Sequence, residues 1–551
     1  MSRAFPGQQP PTEQSDGREQ SDADALCTGQ SRVQDPAWLQ PRPSLTTQLA
    51  TAPIGEVAFK IPWEPLEPGP IGEYLEVVDV DPASSCFYEP VRLDDPRLLA
   101  QDGLAPSEGT PQFHQQMAYA VASLTIHNFE RALGRRSLWR PGPPPPGHSP
   151  DDDSVFVRRL RVHPHALREQ NACYSPRKVA LLFGYFKAVE ADRGEHVPGG
   201  MVFTCLSHDI VAHETTHALL DGMHRRFLNP TNPDVRAYHE AFADIVALLQ
   251  HFTFPEILRH QIASTRGAIR TQENLLGQLA GQFGRAAGLR GALRDAIGSI
   301  DDTTGAWTPH KPDPAEYAHT QEPHARGAIL EAAVFDAFLA IYERRTDDLF
   351  RLATGGTGVL QPGAIHPDLV ARLADEAAKS AQHVLTMCIR ALDYCPPVDI
   401  TFGEFLRAII TADTDAVADD DLHYRVAFAE AFRKRGLYPR DLRTLSENSL
   451  VWRAPETRRV ATLQHARGGA GARARLRPAI PLRGRSRRGF DVAGRLVPAA
   501  EPLLVQSYEG LARSLGGTNG LTVEARDRLT VLRDRSRASG SVSARSKPRQ
   551  P

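Results

Sequence analysis

His213-Glu214-Thr215-Thr216-His217 sets two imidazoles four residues apart with a carboxylate beside them. On a helix, residues i and i+4 share a face one turn apart, so both rings can reach a single cation. Glu214 leaves the same helix toward a water at that cation, which it is placed to deprotonate. Zinc in a hydrolytic site takes three protein ligands and keeps a fourth position for water. The third ligand must come from elsewhere, and His224, His239, Glu240 and Asp244 are the candidates. A third histidine six residues past the second, with glycine between, is excluded, since position 220 is Leu and position 223 is Met. Glu240 and Asp244 are the better pair. Spaced i, i+4, they share a helix face, so one carboxylate can bind the cation while the other accepts the outer N–H of a ligand histidine. Both interrupt an apolar run (Ala241, Phe242, Ala243, Ile245, Val246, Leu248, Leu249), where an acid is costly to bury unless positive charge neutralises it.

These residues describe a zinc-dependent hydrolase, with peptide bonds as the first substrate class and a non-peptide amide as the alternative. A non-catalytic scaffold with a structural metal is the third reading. Glu214 argues against it, because a structural site closes its fourth position with a ligand and gains nothing from an unligated carboxylate.

The elements that must carry this chemistry follow from periodicity. Short apolar stretches over residues 57–104, such as Tyr74-Leu75-Glu76-Val77-Val78, read as strands and turns. Tyr119, Ala122, Ile126, Phe129 and Leu133 recur at helical spacing, ending near Gly134. Residues 141–150 are Pro-rich and read as a rigid loop, with strands expected at 155–162 and 179–186. The metal helix is expected over 208–220, with Asp221-Gly222 as its stop, and a second helix over 235–252. Helical periodicity then dominates 328–342, 367–392, 402–410 and 424–435. The fold class is therefore α+β, with the strands and metal helix of 53–225 packed on a mainly helical half, 226–440. Residues 1–52 are polar, and residues 441–551 are Arg/Gly-rich; both are expected to be largely disordered.

Global composition narrows the partners. Charged residues make up 24% of the 551, with a formal net charge of -2, so no overall field favours nucleic acid or an acidic membrane. The basic tail is expected to be a solvated segment rather than an RNA-binding one. Six cysteines without C-x-x-C spacing read as scattered thiols, Cys205 among them as a small buried thiol rather than a ligand. No secretory signal and no membrane-length apolar run is apparent, so a soluble cytoplasmic protein acting on a peptide or protein substrate is expected.

The segment Ser207 through Asp221, followed by Glu240-Ala241-Phe242-Ala243-Asp244-Ile245, resembles the gluzincin site of thermolysin-like neutral peptidases. Gln170-Asn171-Ala172-Cys173-Tyr174 with Leu182-Phe183-Gly184 is similar to that family's substrate-binding edge strand. Pro323-His324-Ala325-Arg326-Gly327-Ala328-Ile329 is similar to the segment bearing its transition-state histidine. The resemblance spans about residues 116–342. It implies a zincin-type fold with a mixed or antiparallel sheet, and one zinc ion held by His213, His217 and Glu240. It further implies Glu214 as general base, Asp244 behind His213, Asn171 and Ala172 on the substrate backbone, and His324 on the oxyanion, with His319 as competitor for that last role. The chain departs from the family in its longer spacer before Glu240. Phe227 and Leu228 stand where a tyrosine is expected, and His239 replaces an asparagine. Asp209 matches a calcium ligand, but its carboxylate partner position holds His251, which breaks the double-calcium pattern.

Overall fold

The computed structural model describes residues 44–48, 56–143, 155–187, 199–267, 298–300, 307–309 and 311–452. Most of the two terminal segments read above as disordered, and the Pro-rich 144–150, lie outside the described residues. Strand β1 (Ser44–Gln48) is the exception in the N-terminal segment; it pairs antiparallel with β2 (Glu56–Lys60).

The central sheet begins at β3 (Leu75–Val77), followed by a two-residue ladder of β4 (Val80–Asp81) and β5 (Cys86–Phe87). Three further segments complete its core: β6 (Leu160–Leu167), β7 (Ala172–Ser175) and β8 (Ala180–Lys187). The order is β3-β6-β8-β7, with β3, β6 and β8 parallel and β7 antiparallel to β8. β9 (Met201–Phe203) pairs antiparallel with the far end of β8, so the sheet is mixed. The strand expected at 155–162 starts only at Leu160. Its neighbour β3 is three residues long and pairs Leu75 to Val77 with Leu160 to Val162, which leaves residues 155–159 no ladder to join. Pro164, which cannot donate to a ladder, lies inside the register shift of β6 between His163 and Leu167. A separate hairpin, β10 (Gly298–Ile300) with β11 (Trp307–Pro309), comes later in the chain.

Helix α1 (Pro96–Ala100) is short. Helix α2 (Pro111–Leu133) starts eight residues before the expected position, with Pro111 at its first turn, and ends at Gly134 in the left-handed conformation. His114, Gln115 and Gln116 hid its first turns from a hydrophobic count, yet all three are buried and hydrogen-bonded. Apolar groups bury on nearly every side of α2, as expected for a helix at the centre of a core.

Helix α3 (His208–Met223) is capped by Ser207 and runs through Asp221-Gly222 without stopping. Gly222 is a packing glycine rather than a terminator: a Cβ there would strike the carbonyl of Leu138. α4 (Pro233–His251) starts from Asn232, whose side chain accepts from the Asp234 N–H at 2.7 Å. Then follow α5 (Pro255–Thr265), α6 (Glu316–His319), α7 (Pro323–Ala353), α8 (Pro367–Ala391), α9 (Phe402–Ala416), α10 (Tyr424–Lys434) and α11 (Glu447–Leu450). α7 extends the expected 328–342 at both ends, its start set by Pro323 and by Glu322 accepting from the Ala325 N–H. α11 lies in the segment 441–551 and buries Leu450. The architecture is thus α+β, and no helix among the described residues is long and apolar enough to cross a membrane.

One buried polar knot fixes the helices around α4. The Asp234 carboxylate accepts from Arg326 Nε at 2.6 Å, the Tyr317 hydroxyl at 2.5 Å and the Phe402 N–H at 3.0 Å. Arg326 also donates to the carbonyls of Tyr317 and Thr320, and its guanidinium lies 4.0 Å from the Tyr317 ring centre. The first turns of α4, α7 and α9 are thereby tied together. Gly327 completes the approach of α7 to α4, since a Cβ there would sit 2.9 Å from the Ala237 carbonyl oxygen.

Candidate metal centre

α3 and α4 cross with their polar positions facing. His213, His217 and Glu240 each offer one ligand-type atom, all within 4.8 Å of one another. Glu240 Oε2 lies 3.7 Å from His213 Nε2 and 3.5 Å from His217 Nε2. Tetrahedral bonds of about 2.0–2.2 Å separate ligand atoms by about 3.3–3.6 Å, so the spacing and the two-imidazole, one-carboxylate donor set suit a zinc-class cation. Burial opposes ionisation of Glu240, yet the two imidazoles beside it, His217 first, hold its carboxyl far below the usual range.

The far edges of both rings are held. His213 Nδ1 lies 2.7 Å from Asp244 Oδ1, which leaves Nε2 to face the cluster. Burial alone would lower the basicity of His213; the Asp244 carboxylate overrides it and raises that basicity well above the ordinary value. His217 Nδ1 meets His239 Nδ1 at 2.7 Å. For His217 to bind through Nε2 its Nδ1 must donate, so His239 must accept. Burial, and then the neighbouring His217, push His239 down to about 3, which keeps it neutral and fit for that role. His239 therefore stands behind His217 and outside the cluster of His213, His217 and Glu240. His224 is elsewhere, its Nε2 2.8 Å from the Leu392 carbonyl oxygen and its ring stacked on Phe227.

Glu214 is 5% exposed, and its Oε2 accepts from the backbone N–H of Tyr174 at 2.6 Å. Tyr174 belongs to β7, an edge strand, and pairs with Leu181 of β8. Its N–H points off the sheet toward Glu214. Two residues back, Ala172 presents its own N–H and C=O to the same open edge. Asn171 precedes the strand; its side chain donates to Glu169 at 3.3 Å and its carbonyl accepts from the Thr204 hydroxyl. From α7, His324 Nδ1 reaches 3.9 Å from Glu240 Oε2, with a side chain 47% exposed. His319 is exposed on α6 and contributes no atom to the cluster.

Asp244 should matter through His213. Asp244→Asn keeps its shape and loses the charge, and is expected to weaken zinc binding about 10–100-fold in a chelator competition. Unchanged affinity would detach Asp244 from the site.

Glu331 was not singled out by any motif, although an acid inside Ala328-Ile329-Leu330-Glu331-Ala332-Ala333-Val334 is a signal of the same kind as Asp244. It is 1% exposed, and neither carboxyl oxygen has a hydrogen-bond partner among the described residues. Burial first, and then the Asp244 carboxylate, push its pKa well above the usual range, so the group is neutral in the fold. In the unfolded chain it ionises from about 4.5. Folding above that pH takes up a proton, so stability falls as pH rises from about 4.5 toward the folded value and nothing is lost below it. Relative to Glu331→Gln, the chelator-treated protein is expected to lose up to about 1.4 kcal/mol per pH unit in that window. Urea unfolding from pH 4.5 to 8 measures this, and parallel stability curves would contradict it.

The five cysteines among the described residues are free thiols, Cys205 fully buried. Besides the centre above, two other clusters of the described residues could hold a metal: His114, His165 and Cys205, and His208, Asp209 and His251. No protein-family model matches this chain, and no curated protein matches it.

Proposed function

We propose that this chain is a zinc-dependent peptidase of the thermolysin-like, gluzincin type, with one catalytic ion held by His213, His217 and Glu240. The observation that carries the reading is that Glu214, next to His213 on α3 and outside the cluster of His213, His217 and Glu240, accepts from the Tyr174 N–H of the edge strand β7 at 2.6 Å. A peptide extended along that edge can pair with the N–H and C=O of Ala172, in the manner of an added strand. That edge favours a peptide over a small amide, which has no backbone to pair.

Zinc bound at this site would polarise the scissile carbonyl and make an attacking water acidic enough to react near neutral pH. Glu214 takes the proton from that water and returns it to the leaving amine. His324, partly exposed beside Glu240, donates a hydrogen bond to the carbonyl oxygen as it gains charge. Asp244 and His239 hold the two ligand imidazoles in the tautomers that face the ion. Asn171 and Ala172 align the substrate backbone.

The test is a proteome-derived peptide library incubated with chelator-stripped full-length protein and read by mass spectrometry for new termini. Cleavage is expected only after zinc is restored. Cleavage that persists in chelator, or its absence from protein shown to carry zinc, contradicts the proposal.

A further inference from the structure

A cavity of about 380 Å³ opens in the helical half, lined by α8, α9 and the loop that leads into α10. Pockets that take small molecules run from roughly 300 to 1,000 Å³. From α8 come His383, Thr386, Met387 and Arg390, spaced i, i+3, i+4 and i+7 on one helix face. Arg345 of α7 joins them. Ala412, Ala416, Val417 and Leu422 add apolar surface, and the last two are 47% and 41% exposed. Asp413 at the end of α9 and Asp419, Asp420 and Asp421 of the loop supply carboxylates. Arg345 lies about 30 Å along α7 from His324, at 1.5 Å per residue, so the cavity is separate from the metal centre.

Most of these charges are already matched. Arg345 donates to Glu376 from Nε and a terminal nitrogen, at 2.8 and 2.5 Å, and to the Tyr424 hydroxyl at 3.0 Å. Asp413 accepts from Arg425 Nε at 2.7 Å. Asp420 accepts the backbone N–H groups of Tyr424 and Arg425 at the start of α10. His383 Nδ1 lies 3.2 Å from the Tyr424 hydroxyl, and burial lowers its basicity. Three groups remain. Arg390 gives one terminal nitrogen to the Ala132 carbonyl at 3.0 Å, and its Nε has no hydrogen-bond partner among the described residues. Asp419 and Asp421 are exposed and make no side-chain hydrogen bond or ion pair among the described residues. The unmatched cation thus belongs to α8 and the unmatched anions to the loop before α10, and no ion pair joins them.

Unpaired charges of both signs in one partly apolar cavity call for a ligand that carries both signs. A simple anion would meet two carboxylates, and a simple cation would leave Arg390 unmatched. A short peptide has an ammonium at one end, a carboxylate at the other and side chains for the apolar lining; arginine is suited to the carboxylate. We propose that this cavity binds a di- or tripeptide with apolar side chains, its ammonium on Asp419 and Asp421 and its carboxylate on Arg390. The proposal does not rest on the catalytic reading, because no residue of the metal centre takes part.

Titration calorimetry on full-length protein gives the test, with leucyl-leucine and leucyl-glycyl-leucine as probes. Excess chelator keeps a metal-dependent reaction from consuming them. At least one is expected to bind saturably, with a Kd below about 1 mM. Acetylating its amine, or amidating its carboxyl group, should each weaken binding by about tenfold or more. In Asp419→Asn combined with Asp421→Asn, the free and acetylated peptides should bind alike. In Arg390→Gln, the free and amidated peptides should bind alike, and the amidated one as it does to wild type, which shows that the cavity survives the substitution. Asp419 and Asp421 are exposed, so their replacement spares the fold and decides the matter should Arg390→Gln not fold. No binding of either peptide below about 1 mM overturns the proposal. A penalty for acetylation that is the same in wild type and in the aspartate variant also overturns it. An amidated peptide that binds wild type as tightly as the free one would point to a plain cation, such as a basic side chain of another protein, and overturns it too.

Discussion

Glu214→Gln is expected to bind zinc as wild type does and to lose turnover by about 10²–10⁴-fold, the usual contribution of a positioned general base. The substitution is nearly isosteric, and the amide oxygen can still accept from the Tyr174 N–H that holds Glu214 at 2.6 Å. What it loses is the ability to carry a proton. Because Glu214 is absent from the ligand cluster, metal content should not change. Zinc content and initial rates on one cleaved peptide, measured on the same preparation, check both halves. Activity within a few-fold of wild type would remove Glu214 from the chemistry, and loss of zinc would move it into the ligand set.

The largest loss of stability is expected away from the metal. Asp234→Ala removes the acceptor shared by Arg326, Tyr317 and Phe402, and leaves the guanidinium of Arg326, 7% exposed, without its carboxylate. Breaking one side of a buried pair costs about 3–5 kcal/mol, mostly through the stranded charge. Urea denaturation should show that loss. Replacing both partners, Asp234→Leu with Arg326→Met, should recover part of it. A loss below about 1 kcal/mol in the single variant would mean that solvent or another acceptor reaches Arg326. Since the knot seats the first turn of α7, the single variant should also displace His324 and lower activity before unfolding sets in.

How far the sequence reveals this depends on whether an arrangement is local. His213, Glu214 and His217 are read from helical geometry alone, and so is the shared face of Glu240 and Asp244. The crossing of α3 and α4, which brings those faces together, is a tertiary fact. His239 shows the limit: as a residue type it is a plausible third ligand, and only the crossing places it behind His217. That His324 rather than His319 comes near Glu240 likewise depends on where α7 begins, which Pro323 and Glu322 set. Gly222 reads as a helix stop because nothing local reveals the Leu138 carbonyl against it. The buried His114, Gln115 and Gln116 broke the apolar period of α2 for a similar reason, since their partners lie in other segments. His208 and His251 sit 43 positions apart and come together only where two helix ends meet.

The most direct measurement is an anomalous-difference map at the zinc edge from crystals of the zinc-loaded protein. The account predicts a peak about 2.0–2.2 Å from His213 Nε2, His217 Nε2 and a Glu240 oxygen, with solvent in the remaining position. Either the absence of a peak between α3 and α4, or a peak there with Glu240 turned away and a fourth protein ligand in the open position, would contradict it.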